Sequence, residues 1–239
     1  MNKNKKKEKR EPIPQPQCCK DTILPDFPCA MSFVGLSKSG KTTLLKNILT
    51  DKDLLGGYFH TVLLFSPTSE CDTTITAELD MPDENVFTNF TPDDIRRIID
   101  ARKKEIKKKG WNKTAKTNRM AIIFDDCIAH RAFLKSKEIL DLCATVRHEL
   151  ISVFFLIQSL NMVPRPCRIN LRGICFFESN ANEVEVLINE ARAPSLKKSE
   201  MRELIHYATC EPYSFLFINR DSPYRERYRH KLHTILRLN

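Results

Sequence analysis

Gly35-Leu36-Ser37-Lys38-Ser39-Gly40-Lys41-Thr42 forms a complete G-x-x-x-x-G-K-[ST] phosphate loop. At this spacing consecutive backbone N–H groups can wrap a β-phosphate. The Lys41 ammonium then reaches the β and γ oxygens, and the Thr42 hydroxyl can join the shell of a bound Mg²⁺. Thr43, in the first turn after the loop, completes the candidate nucleotide-binding set Gly35, Leu36, Ser37, Lys38, Ser39, Gly40, Lys41, Thr42 and Thr43. A strand-like run, Cys29–Val34, stands directly before the loop, and a helical pattern with Leu44, Leu45, Ile48 and Leu49 on one face follows it. That strand–loop–helix order is the context in which the motif binds phosphate.

Working outward, further apolar runs rich in β-branched and aromatic residues lie at Thr61–Phe65, Met120–Phe124, Ile151–Ile157, Gly173–Phe177 and Ser214–Ile218, separated by helical patterns. Continuous apolar strands alternating with helices predict an α/β fold: a mainly parallel sheet with helices on both faces. The clearest helix starts at Thr91, an N-cap residue followed by Pro92, Asp93 and Asp94; Ile95, Ile98, Ile99, Arg102 and Ile106 keep its period until Gly110. The chain of 239 residues is long enough for one such domain. Residues 1–28, with a Lys run followed by five Pro, read as a disordered basic arm, 29–220 as the folded domain and 221–239 as a basic extension. Within that extension Tyr224, Tyr228, Leu232 and Ile235 share a helix face, which favours core packing over nucleic-acid contact.

Met120-Ala121-Ile122-Ile123-Phe124-Asp125-Asp126 places two carboxylates at the carboxyl tip of a buried strand, the edge where open α/β sheets bind ligands. Asp125 is assigned to the metal shell and Asp126 to polarising the attacking water, the two acidic roles that nucleotide hydrolysis requires. The strand Ile151–Ile157 ends in Gln158, whose amide can bond both a γ-phosphate oxygen and the lytic water. Lys41, Asp126 and Gln158 are thus the candidate catalytic residues, with Thr42 and Asp125 for the metal.

The loop GLSKSGKT, the strand AIIFDD, Arg147-His148 and the stretch ISVFFLIQS together resemble the poxvirus-type genome-packaging ATPases of the FtsK/HerA superfamily, over about Ala30 to Phe177. The resemblance implies a P-loop NTPase fold of the ASCE/RecA-like type, with the Gln strand between the phosphate-loop strand and the acidic strand. It also implies ATP and Mg²⁺ as cofactors, a homo-oligomeric ring, double-stranded DNA and a capsid protein as partners, and residence in the host cytoplasm, a viral factory or the virion. Members of the family place an arginine finger in the neighbouring subunit's site. Arg147 is the candidate here, at the end of a helix running back from the acidic strand; Arg168 is the second, with Arg119 and Lys116 behind it.

The charge pattern fits a polyanionic partner. The net charge of +9 is concentrated in residues 1–20 (seven basic, two acidic), 101–120 (nine basic, one acidic) and 220–239 (six basic, two acidic). Nine Cys with no C-x-x-C spacing argue for reduced intracellular thiols over disulfides or zinc, and no apolar run is long enough to anchor the chain in a membrane. A nucleotide kinase shares the loop but needs an Arg-rich lid, a GTPase lacks its base-reading motif here, and a non-catalytic DNA-binding virion protein has no need of intact Lys41, Thr42, Asp125 and Asp126.

Overall fold

Among the described residues nine strands join in one sheet, of which the six predicted runs form the core. A computed structural model describes residues 10–21, 23–68, 74–127 and 131–237. In chain order the elements are α1 (Gln17–Lys20), β1 (Ala30–Val34), α2 (Lys41–Thr50), β2 (Thr61–Phe65), α3 (Thr74–Glu78), β3 (Val86–Phe87), α4 (Pro92–Lys109), α5 (Trp111–Thr117), β4 (Met120–Asp125), α6 (Arg131–Leu134), α7 (Lys137–Glu149), β5 (Ile151–Ile157), α8 (Arg165–Asn170), β6 (Leu171–Phe177), α9 (Ala181–Ala191), α10 (Lys198–Thr209), β7 (Phe215–Asn219), β8 (Tyr228–His230) and β9 (Thr234–Ile235). The sheet order is β3-β2-β4-β5-β1-β6-β7-β8-β9. Strands β3 to β6 run parallel and β7 to β9 antiparallel.

The continuous apolar strands are explained by burial on both faces. In β5, Val153, Phe155 and Ile157 point into one core with Ile95 of α4, Ile139 and Leu142 of α7, Leu187 of α9 and Met201 of α10. Phe154 and Leu156 point into the other, with Leu45 and Ile48 of α2. Neighbouring residues on a strand face opposite ways, so a strand covered on both sides reads as a nearly continuous apolar run, broken in β5 only by the buried Ser152.

Helix α4 begins as its sequence predicts. The Asp94 carboxylate accepts from the Thr91 backbone N–H at 2.7 Å and from its hydroxyl at 3.0 Å, and Gly110 ends the helix. Arg102, on the apolar face, is fully buried: it donates to the carbonyls of Glu149 (2.8 Å) and Leu150 (3.1 Å), to the Asn118 carbonyl, and to Glu105 (2.9 Å). It therefore belongs to the core, while Lys103, Lys104, Lys107, Lys108, Lys109, Lys113 and Lys116 are exposed.

Both terminal boundaries need correcting. Residues 10–28, expected in a disordered arm, are packed: Cys18, Leu24 and Phe27 are buried in the same core as α2. Arg10 stacks over Trp111 at 5.0 Å, Glu11 pairs with Lys116 at 2.6 Å, and the Tyr58 hydroxyl donates to Pro14 at 3.2 Å. A few apolar anchors spaced among prolines suffice to order a segment whose mean composition is polar. Residues 1–9 lie outside the described residues. At the other end, β8 and β9 extend the sheet beyond β7, so residues 221–237 belong to the domain. Tyr228 is buried there, with its hydroxyl donating to Ala191 at 3.0 Å, but it lies on a strand and not on the helix face that its spacing suggested.

Candidate functional site

The carboxyl ends of β1, β4 and β5 meet at one edge of the sheet. The order β4-β5-β1 places the Gln strand between the acidic strand and the phosphate loop, as expected. The ladder aligns Asp125 with Leu156 and Val34 with Ile157, so Asp125, Asp126, Gln158 and the loop end at about the same height. A cleft of about 830 Å³ opens between them, lined by Lys38, Lys41, Thr42, Thr43, Asp125, Asp126 and Gln158 among others.

The loop's glycines are required by geometry. A Cβ at Gly35 would lie 2.7 Å from the Phe177 Cβ and 2.8 Å from the Ser39 Oγ, and Gly40 has φ +98°, where only glycine is relaxed. The Gly35 N–H donates to the carbonyl of Ile157 at 3.1 Å, which ties the loop to the residue before Gln158. Gly40 then caps α2, whose first N–H groups face the cleft with the positive end of the helix dipole.

Lys41 donates to the carbonyls of Gly35 (2.9 Å) and Leu36 (2.7 Å). Burial pulls its pKa below the usual 10.5, while the negative charges of Asp125 and then Asp126 counteract this. The ammonium thus lies in the field of both carboxylates. Asp126 is exposed and has φ +47°, an uncommon conformation for a residue with a side chain and one that Asp tolerates better than most. The Ser39 Oγ is buried and has no hydrogen-bond partner.

The cleft offers hard oxygen donors, the Thr42 hydroxyl and the Asp125 carboxylate, beside the phosphate loop. Among the described residues no three His, Cys, Asp or Glu side chains cluster as a metal cage. This donor set suits Mg²⁺, which binds through one or two protein oxygens and completes its shell with phosphate and water.

The candidate arginines lie elsewhere. Arg147 is exposed on the last turn of α7, at the amino end of the sheet, and its charge acts on Cys29 just before β1. The seven residues of β5 separate it from Gln158, about 20 Å at the strand's rise. His148 accepts from Arg10 at 2.9 Å. Arg168 is committed to the fold, held by Glu190 (2.9 Å), Asn161 (3.1 Å) and the Val163 carbonyl (3.0 Å). Arg119 stacks over Tyr58 at 4.6 Å and donates to its carbonyl at 2.7 Å, and Lys116 pairs with Glu11. These partners remove Arg168 and Arg119 as free fingers, whereas the Lys116 pair is exposed and binds it only weakly.

Several lining residues carried no sequence signal: Thr68 beyond β2, Phe177 at the end of β6, and Tyr213 and Phe215 where β7 begins. Because β7 is antiparallel, its start reaches the same edge at which the parallel strands end.

The matching family model is that of the poxvirus A32 protein, over residues 20–227. The chain belongs to the poxvirus A32 protein family. Together with the loop and the acidic strand, this membership makes it a P-loop ATPase of the viral genome-packaging type, with the FtsK/HerA-like fold expected from its motifs. The genome-packaging NTPase B204 of Sulfolobus turreted icosahedral virus 2, solved with ATP-gammaS, superposes with a TM-score of 0.56 at 17% identity, covering 87% of this chain and 98% of that one. The cytoplasmic domain of the type VII secretion ATPase EccC of Thermomonospora curvata gives a TM-score of 0.56 at 14% identity, covering 82% of this chain and 24% of that one. EssC ATPases 2 and 3 of Geobacillus thermodenitrificans give 0.52 at 12% identity, covering 87% and 40%. At these identities the likeness is one of fold. The chain has no match among curated protein sequences.

Proposed function

We propose that the chain is an ATP-driven translocase that packages viral double-stranded DNA into a capsid, working as a homo-oligomeric ring in the host cytoplasm or viral factory. The carrying observation is the convergence of Lys41, Asp125, Asp126 and Gln158 on one cleft in a member of the A32 family. The B204 structures that share the fold are of a genome-packaging NTPase, which supports the same role here.

In this reading the loop N–H groups and Lys41 hold the β- and γ-phosphates, and Thr42 and Asp125 hold the metal. Bound Mg²⁺ would neutralise charge on the phosphates. Asp126 accepts a proton from the attacking water while the Gln158 amide orients that water against the γ-phosphate. Arg147, too far from its own cleft, supplies its guanidinium to the neighbouring subunit's γ-phosphate. The exposed lysines of α4 and α5 gather at the end of the sheet where Arg10 packs on Trp111, opposite the cleft, and form the face for the DNA backbone. No helix among the described residues is long and apolar enough to cross a membrane.

ATP turnover measured with and without duplex DNA tests the proposal. Stimulation by DNA is expected; phosphoryl transfer to an acceptor would point to a kinase, and no turnover to a binding protein.

A further inference from the structure

The two ends of the cleft differ in chemistry. On the β4–β5 side of the phosphate loop stand Asp125, Asp126 and Gln158; on the β6–β7 side stand Phe177, Tyr213 and Phe215. Phe177 and Phe215 are buried, with ring centroids 5.1 Å apart. Tyr213 is not: it is 72% exposed, the most open of the large apolar side chains among the described residues, although it lies over the loop. A Cβ built on Gly40 would lie 3.4 Å from a Tyr213 ring carbon and 3.7 Å from one of Phe177. Tyr213 also has φ +60°, in the left-handed region that side chains rarely adopt. A bulky residue held in that conformation, with its ring in solvent beside a ligand cleft, contributes little to packing and is placed for something that enters the cleft.

We infer that Tyr213 is the base-stacking residue of this ATPase, and that Phe177 and Phe215 form the apolar floor behind it. A nucleotide whose γ-phosphate reaches Asp126 and Gln158 lies along the loop with its α-phosphate near Gly40 and the start of α2. Its base then falls at the β6–β7 end, where the exposed ring waits. An aromatic face binds any purine without reading its hydrogen-bonding edge, so this end of the cleft supplies affinity and fixes the direction of the nucleotide more than it chooses between adenine and guanine.

The inference rests on nucleotide binding at the phosphate loop, and the test keeps the two apart by using two probes, ATP and inorganic tripolyphosphate, which has the phosphates and no base. Tyr213→Ala should weaken ATP and GTP binding by about 5- to 100-fold, the contribution of one base–aromatic stack, and leave tripolyphosphate affinity unchanged. Tyr213→Phe and Tyr213→Trp should restore ATP affinity. Lys41→Ala should weaken both probes, and so checks the loop by itself. Equal weakening of ATP and tripolyphosphate in Tyr213→Ala would show that Tyr213 shapes the loop, and unchanged ATP affinity would show that the base lies elsewhere; either overturns the assignment, as would a Phe variant as weak as Ala.

Discussion

The Lys41 ammonium donates at 2.7 Å to the carbonyl of Leu36, within the loop that Lys41 itself closes. The cation is thereby held at the cleft, partly desolvated, with Asp125 and Asp126 acting on it through space. Its pKa is lowered by burial, so the charged form is lost as pH rises through a value below the ordinary 10.5. ATP affinity should accordingly begin to fall on the alkaline side before that value. Lys41→Met should lose hydrolysis and, with no ammonium to titrate, should lose this alkaline dependence as well. Affinity that stays flat to pH 10.5 would exclude this role for the ammonium.

Asp126 offers a separation of binding from chemistry. Asn tolerates the φ of +47° about as well as Asp does, so Asp126→Asn should fold normally and bind Mg-ATP. Its turnover should fall by about 10²-fold or more, the scale of general acid–base catalysis. Nucleotide affinity, Tm and single-turnover hydrolysis check this together; normal turnover would point to another base. Asp126→Val should instead lose about 1–2 kcal/mol of stability, because a β-branched residue fits this conformation poorly.

The strands Thr61–Phe65 and Ile151–Ile157 have the same limits in the sequence and in the structure, because short apolar runs rich in β-branched and aromatic residues, broken only by Thr61 and Ser152, fit a strand covered on both faces. Lys41, Thr42, Asp125, Asp126 and Gln158 were legible for a related reason: each stands at or just after the carboxyl end of a strand, at the edge where parallel strands end. Arg168 was not, since its engagement depends on Glu190, 22 residues away in sequence. Tyr213 precedes an antiparallel strand, so only the topology brings it to the cleft. Tyr228 and Leu232 fit a helical period, yet pairing of β8 with β7 overrides that local pattern.

The N-terminal segment divides into two parts with different expected effects. Deleting residues 1–9 removes five Lys and one Glu, a net +4 of the chain's +9. DNA binding should weaken and its salt dependence become shallower, with basal ATPase retained. Deleting residues 1–28 also removes Leu24 and Phe27 from the core, at about 1.5–3 kcal/mol each. That variant should melt markedly lower. Salt titrations of DNA binding and thermal melts distinguish the two, and equal Tm values would contradict the packing of residues 10–28.

Arg147 tests the ring. Arg147→Ala should bind ATP and lose about 10³- to 10⁵-fold in turnover, the contribution of an arginine finger. Mixing it with Lys41→Ala subunits should restore part of the activity, because the Lys41→Ala neighbour lends its guanidinium to an intact loop. An Arg147→Ala variant that keeps basal turnover and loses only stimulation by DNA would place the residue on the DNA face instead.

Movement along DNA is the central claim, and displacement of a third strand from a duplex carrying a short triplex measures it most directly. With ATP and Mg²⁺ the wild-type protein should release the third strand, and Lys41→Ala should release none. Wild-type protein that binds the duplex and hydrolyses ATP while the triplex stays intact would contradict translocation.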